Sequence, residues 1–157
     1  MKVMRRAAPF YGGTAPSEWL GKPATARILI VDDEEEMRRA INIMLKHSGH
    51  VTALAVDGHD ALQQFGQQRF DLVICDIFMP NKEGIATLRE LRRLNPAVPV
   101  IMMSGGAPST SYLGMERADY LEMAKRLGAT RTIKKPFKYS QLIRLVRECL
   151  ATASRRR

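Results

Sequence analysis

The sequence has few cysteines and no long hydrophobic run, and both shortages exclude classes of protein. It contains two cysteines among 157 residues. Cys75 lies inside an apolar run and Cys149 lies in a helical pattern, so two unpaired core thiols fit better than a disulfide framework or a metal site. No apolar stretch approaches the ~20 residues that a membrane-spanning helix requires. We therefore expect a globular domain without a membrane anchor or disulfide scaffold.

Acidic residues are also scarce relative to basic ones, and the imbalance lies mainly at the two ends. The formal net charge is +9. Four basic residues against one acidic residue give residues 1–26 a charge of +3, three arginines at 155–157 add +3, and the remaining +3 is spread over the body. Basic ends attract nucleic acids and acidic membranes. Runs this short are more often solvated ends, and no aromatic platform accompanies either one.

The first 26 residues lack any periodic apolar pattern. They begin with basic residues as a signal peptide would, but Pro9, Gly12 and Gly13 interrupt the apolar region that such a peptide needs. We expect a disordered or loosely docked extension, with Trp19 and Leu20 as local contacts, and a cytoplasmic protein.

From Arg27 onward, short apolar runs alternate with helical patterns. This alternation is typical of repeated βαβ units and predicts an α/β fold with a parallel sheet. The predicted strands are 27–31, 51–55, 71–75, 98–103 and 131–134. Helices are predicted near 35–48, after Asp57, at about 83–94, before Gly128, and at the end of the domain. The apolar positions of the third helix, expected to face inward, are Ile85, Leu88, Leu91 and Leu94.

Polar residues follow four of the predicted strands where each apolar run stops. They are Asp32, Asp33, Asp76, Ser104 and Lys135. Because the carboxyl ends of parallel strands meet at one edge, where open α/β sheets bind ligands, these side chains are expected to gather there. Three carboxylates in one place require a cation, and oxygen ligands of this kind suit Mg²⁺. The lysine and the hydroxyl complete a site for a phosphoryl group.

The motifs around these residues resemble those of a known family. The order DD, then D-I-F-M-P-N-K-E-G, then S-G, then K-P-F resembles the receiver domain of two-component response regulators. The resemblance covers residues 27–152 and leaves 153–157 as a basic tail. It implies a flavodoxin-like, doubly wound, five-stranded parallel sheet in the order 2-1-3-4-5 with five helices.

The resemblance also implies a role for each carboxylate. Asp76 would be the phosphoacceptor, and Mg²⁺ would be the cofactor. Asp33, Asp76 and the backbone carbonyl of Phe78 would bind the ion directly, and Asp32 would hold one of its waters.

Two further residues would act on the transferred group. Lys135 would pair with Asp76 before transfer and with a phosphoryl oxygen afterwards, and a cis peptide bond between Lys135 and Pro136 would aim the lysine inward. Ser104 would donate a hydrogen bond to another oxygen and act as a switch residue.

The sequence departs from the family at three places. Thr132 stands at the second switch position, where the family commonly has an aromatic residue, and a threonine cannot fill an aromatic-sized pocket. The loop after Ser104 is long, and its Tyr112 is one candidate replacement. Phe78 and Gly106, which would flank the water that hydrolyses the acyl phosphate, offer that water no side-chain hydrogen bond.

These features predict a single-domain response regulator. It would take a phosphoryl group from a sensor histidine kinase or histidine phosphotransfer protein and signal to a downstream protein as a monomer or weak homodimer. It would catalyse its own phosphorylation and dephosphorylation rather than turn over a separate substrate.

Other interpretations of these residues stay open at this stage. A Mg²⁺-dependent phosphatase with an aspartyl-phosphate intermediate would want a carboxylate where Phe78 stands, and a nucleic-acid-binding module would want a recognition helix or zinc pattern. Each polar residue alone also fits a structural role, as Asp33 does in an acidic first helical turn.

Overall fold

The computed structural model describes residues 25–79, 84–105 and 117–154. Within these residues five strands alternate with five helices. The strands are β1 (Arg27–Val31), β2 (Val51–Ala55), β3 (Leu72–Asp76), β4 (Val100–Ser104) and β5 (Arg131–Lys134). The helices are α1 (Glu35–His47), α2 (Gly58–Gln67), α3 (Gly84–Leu94), α4 (Arg117–Arg126) and α5 (Tyr139–Ser154).

All strands pair in parallel in the order β2-β1-β3-β4-β5. This confirms the expected topology. Every residue of β3 and β4 is buried, because helices cover both faces of the central strands. The registers bring Asp76 of β3 beside Met103 of β4, and Ser104 of β4 beside Lys134 of β5. The polar ends of three neighbouring strands therefore share one edge.

Two apolar layers lie on opposite faces of the sheet. One contains buried residues of α2, α3 and α4, including Ala61, Leu88 and Ala124. The other contains buried residues of α1 and α5, including Ile41 and Leu142. The helices are thus divided between the two faces, as a doubly wound sheet requires.

The predicted helix boundaries largely match the structure. Asp57 caps α2, since its Oδ1 accepts a hydrogen bond from the backbone N–H of Asp60 at 2.9 Å. Helices α1 and α4 end before Gly49 and Gly128, whose φ angles of +86° and +100° favour glycine. The peptide bond between Lys135 and Pro136 is cis.

Three details differ from the expectation. Asp76 and Ser104 are the last residues of β3 and β4 rather than the residues after them. Strand β4 begins at Val100, two residues later than predicted, because Pro99 has no N–H to donate to a ladder. Leu94 is 59% exposed rather than inward. A spacing of three residues rotates by about 60° per step around a helix, so Leu94 has drifted off the face that buries Leu88.

The expectations for residues 1–24 and for Gly106 and Tyr112 lie outside the described residues. In the part of the chain that is described, no helix is both long and apolar enough to cross a membrane.

Candidate functional site

Three carboxylates converge at the carboxyl edge of the sheet. Asp32 and Asp33 follow β1, and Asp76 ends the neighbouring strand β3. One carboxylate oxygen from each lies within 4.8 Å of the others. Asp32 and Asp76 are buried, with exposures of 0% and 2%, whereas Asp33 faces solvent. The structure therefore brings together the acidic residues singled out by the sequence.

Lys135 reaches into this cluster from the end of β5. Its Nζ lies 2.7 Å from Oδ2 of Asp32, to which it donates a hydrogen bond, and 3.4 Å from Oδ1 of Asp76. The pairing with Asp76 was expected, but the shorter contact is with Asp32. Burial alone would lower the pKa of Lys135, but the hydrogen bond to Asp32 and the charges of Asp76 and Asp32 outweigh it, so the pKa is raised. The lysine is held in its charged form.

Asp76 carries a carboxylate whose charge is poorly satisfied. Burial raises the pKa of Asp76 to about 7; the charge of Lys135 opposes this rise, and the charges of Asp32 and Asp33 add to it. Among the described residues, its buried Oδ1 has no hydrogen-bond partner, since the contact with Lys135 is an ion pair without hydrogen-bond geometry. An orphaned carboxylate oxygen beside two further carboxylates fits a hard divalent cation.

Two glycines allow the backbone to close around the site. A Cβ at Gly84, the first residue of α3, would collide with the carbonyl oxygen of Asp76 and the backbone of Ile77. A Cβ at Gly105 would collide with the Cβ of Lys135. Neither glycine was given a role from the sequence, although both stand inside the motifs quoted above.

The two residues expected from the sequence to act as switches lie on the neighbouring strands β4 and β5. Ser104 is 1% exposed, and its carbonyl accepts a hydrogen bond from the backbone N–H of Lys135 at 2.6 Å. Thr132 pairs with Met102, two residues before the end of β4, and is half-buried. Ser104 is thus hydrogen-bonded to the segment that carries Lys135, and Thr132 lies further from the carboxyl edge, where β4 and β5 pair.

An aromatic pair that was not predicted from the sequence lies between the site and α4. The rings of Phe78, two residues after Asp76, and Tyr120, on α4, meet edge to face with centroids 4.9 Å apart. Tyr120 is 7% exposed. It stands four residues before the buried Ala124, so helical spacing could have placed it in the core.

Known proteins match both the sequence and the fold. A family model described as the response regulator receiver domain matches residues 28–147. Among curated relatives, the transcriptional regulatory protein ZraR of Salmonella typhimurium is 37% identical over 124 residues, which cover 79% of this chain and 26% of that protein. DltR of Streptococcus agalactiae is 32% identical over 121 residues, covering 77% of this chain and 50% of its own. The chain spans about a quarter of the length of ZraR.

Solved structures give the same result. The receiver domain of NtrX from Brucella abortus has a TM-score of 0.71 at 33% identity, covering 80% of this chain and 98% of that one. A CheY-like receiver domain protein from Methanospirillum hungatei has a TM-score of 0.75 at 25% identity, covering 85% and 100%.

Proposed function

Because this chain belongs to the response regulator receiver family, we propose that it accepts a phosphoryl group on Asp76 from a histidine kinase or a histidine phosphotransfer protein. The observation that carries the proposal is the geometry at Asp76. Its buried carboxylate has one oxygen that no described residue hydrogen-bonds, and it lies beside two further carboxylates and a charged lysine. A carboxylate held this way is a poorly solvated nucleophile facing a cationic group.

Transfer of the phosphoryl group forms one bond and breaks one bond. An oxygen of ionised Asp76 bonds to phosphorus while the P–N bond of the phosphohistidine breaks and leaves its electron pair on the imidazole. Lys135 lies 3.4 Å from the attacking carboxylate and supplies a positive charge for the phosphoryl oxygens. Ser104, which ends the neighbouring strand, supplies a hydroxyl for a further oxygen.

The carboxylate cluster suits Mg²⁺ as the cofactor. Asp33 and Asp76 would hold the ion directly together with the carbonyl of Phe78, and Asp32 would hold it through a water. When bound, Mg²⁺ offsets negative charge on the transferring oxygens. One oxygen of Asp32 is already engaged by Lys135, which supports its placement outside the direct ligand set.

Phosphorylation in vitro tests this proposal. Incubation with Mg²⁺ and acetyl phosphate should add one phosphoryl group to the protein, detectable by intact mass. Asp76→Asn should remain unmodified, and Asp33→Ala should be modified far more slowly because it lacks a direct ligand. Modification of Asp76→Asn to the parent's level would overturn the assignment.

We further propose that the aromatic pair Phe78 and Tyr120 carries the phosphorylation signal to α4. Position 132 has no ring to turn inward, whereas Phe78 is two residues from the phosphoacceptor and contacts Tyr120 directly. A beryllofluoride mimic of the phosphoryl group should change amide exchange across residues 105–126. Tyr120→Leu should reduce this change, and Tyr139→Leu, an aromatic deletion at the start of α5, should not. An unchanged response in Tyr120→Leu would exclude the pair as the route.

We also propose that the receiver signals to a downstream protein as a single-domain, cytoplasmic response regulator. A CheY-like protein of Methanospirillum hungatei and the chemotaxis protein CheY4 of Vibrio cholerae, each matched over 100% of its solved chain, support this, whereas the matched ZraR proteins are about four times as long as the matched region. The intact mass of the native protein tests it directly. A native product of about 17.7 kDa would fit a single-domain protein, and a larger product would show a further domain.

Autodephosphorylation completes the proposed cycle. Phe78 offers the hydrolytic water an apolar ring, so the acyl phosphate should hydrolyse slowly. Phe78→Asn should shorten the lifetime of the acyl phosphate, because its amide can align the water. If alignment lowers the activation free energy of hydrolysis by about 1.4 kcal/mol, the rate rises roughly tenfold. Equal or slower decay would show that this side chain does not set the lifetime.

A further inference from the structure

Arg38, in the first turn of α1, contacts the segment that carries the paired aspartates. Its Nη1 donates one hydrogen bond to the backbone carbonyl of Asp32 at 2.7 Å and another to that of Asp33 at 2.9 Å. Its side chain is half-buried. A single guanidinium group therefore binds the main chain of both aspartates.

These two carbonyls lie where regular structure cannot satisfy them. Strand β1 ends at Val31 and α1 begins at Glu35, so Asp32 and Asp33 lie between the sheet ladder and the helical ladder. The backbone N–H of Asp32 still bonds to the sheet, at 3.2 Å from the carbonyl of Ala55. The carbonyl side of the segment is held by Arg38 instead.

The side chains of the segment make a separate set of contacts. Oδ1 of Asp32 accepts a hydrogen bond from the backbone N–H of Glu34 at 2.9 Å, and Oδ2 meets Lys135. A carboxylate oxygen of Asp33 lies within 4.8 Å of those of Asp32 and Asp76. The orientation of the segment thus decides whether the carboxylates face Asp76.

We propose that Arg38 is a positioning residue for the divalent cation. By fixing both carbonyls, it orients the segment so that Asp32 and Asp33 present their carboxylates to the ion. The inference rests on the proposed function, because it assigns Arg38 a role in binding the ion that this function requires.

The direction in which Mg²⁺ affinity changes when Arg38 is removed separates a positioning role from a simple charge effect. A positive charge close to a cation site repels the cation, so charge alone predicts tighter Mg²⁺ binding when Arg38 is removed. Positioning predicts weaker binding, because the aspartates lose their orientation. Hydrogen-bonded groups that orient metal ligands typically contribute 10–100-fold in affinity.

The neighbouring Arg39 provides a matched control. It has the same charge one residue further along α1, but it is 73% exposed and its contact is with Glu35 at 3.5 Å. Arg39→Met removes the same charge and side-chain donors without touching the aspartate segment.

The experiment is calorimetric titration of Mg²⁺ into the parent, Arg38→Met, Arg39→Met and Arg38→Lys, with metal-free melting as a check on folding. We expect Arg38→Met to bind about tenfold more weakly, Arg39→Met to bind as the parent does, and Arg38→Lys to recover part of the loss. Equal or tighter binding by Arg38→Met would overturn the inference alone. If that variant does not fold, Arg38→Lys decides, and parental affinity in it would count against positioning. A parent that does not bind Mg²⁺ would overturn the proposed function and this inference together.

Discussion

Burial of the Asp76 carboxylate destabilises the folded protein, and the proposed chemistry of Asp76 explains why it is buried nonetheless. The folded protein raises its pKa from 3.8 to about 7, chiefly through burial. The folded state therefore binds a proton more tightly than the unfolded state, and stability declines as pH rises from about 4 to about 7. Such a cost is expected of a nucleophile held out of water, since solvation that stabilised it would also make it less reactive.

Asp76→Asn should therefore stabilise the metal-free protein above neutral pH. In EDTA at pH 8, we expect a gain of up to ~4 kcal/mol in the free energy of unfolding, since each pKa unit corresponds to about 1.4 kcal/mol. At pH 4 the two proteins should differ little, because Asp76 is then protonated in the folded state. Urea unfolding at both pH values measures this. Asp33→Asn, at an exposed position, is the control, and an equal gain from it would contradict the role of burial.

At the scale of elements, the start of α3 packs directly on the end of the strand that carries Asp76. The N–H of Gly84 donates to the carbonyl of Ile77 at 2.8 Å, and there is no space for a side chain against the backbone of Asp76. Any residue larger than glycine must displace either α3 or the end of β3. The position of Asp76 thus depends on a helix start as well as on the sheet.

Gly84→Ala should both destabilise the protein and slow its phosphorylation. Overpacking of this kind typically costs 1–3 kcal/mol, and we expect a loss in the upper part of that range because the neighbour is backbone. Gly66→Ala is the matched control. Gly66 lies in α2, where an added methyl group would meet nothing within 4 Å, so alanine should stabilise it by roughly 0.5–1 kcal/mol. Thermal melting and acetyl phosphate kinetics on both variants check this, and similar behaviour of the two would refute the close packing at Gly84.

Element order was predictable from the sequence because apolar runs and helical spacing repeat on a scale of a few residues. The positions of single side chains were less so. Leu94 fits a three-residue spacing, but the helix has 3.6 residues per turn, so its exposure follows from drift around α3. The contact between Tyr120 and Phe78 was missed because the two residues are 42 apart in the sequence, and such a contact depends on how α4 packs on the sheet. The crowding at Gly84 also depends on the folded backbone, because it involves Asp76 and Ile77 at the end of β3.

Across the whole molecule, the two edges of the sheet respond to pH in opposite ways. The carboxyl edge holds Asp76, and His50 lies just before β2 at the amino edge. His50 is 6% exposed, and its Nδ1 accepts a hydrogen bond from the backbone N–H of Ala26 at 3.4 Å. Burial, and to a smaller degree the charge of Arg147, lowers the pKa of His50 from 6.5. The folded protein therefore favours the neutral ring.

The lowered pKa of His50 predicts that this residue makes the folded protein less stable on acidification. The unfolded state binds a proton on His50 at a higher pH than the folded state does, so stability contributed by the neutral ring is present above about 6.5 and falls as pH drops below it. His50→Asn, which keeps an acceptor near Nδ1, should therefore gain stability relative to the parent as pH falls from 7 to 5. His59→Asn, at an exposed position, should follow the parent. If the melting temperatures of the parent and of His50→Asn changed equally with pH across this range, His50 would be ruled out as the source of the pH dependence.

The group formed by Asp32, Asp33, Asp76 and Lys135 also has a consequence for electroneutrality. Three carboxylates and one ammonium carry a formal charge of −2, which a divalent ion cancels and a monovalent ion does not. In the proposed cycle, a phosphoryl group of about −2 then replaces the −1 of Asp76, and the filled site passes from neutral to roughly −1. The phosphorylated state is thus an isolated charge in a site that was neutral before. At physiological salt its field reaches exposed groups within about 8 Å, so a partner that detects it electrically must bind close to this edge of the sheet.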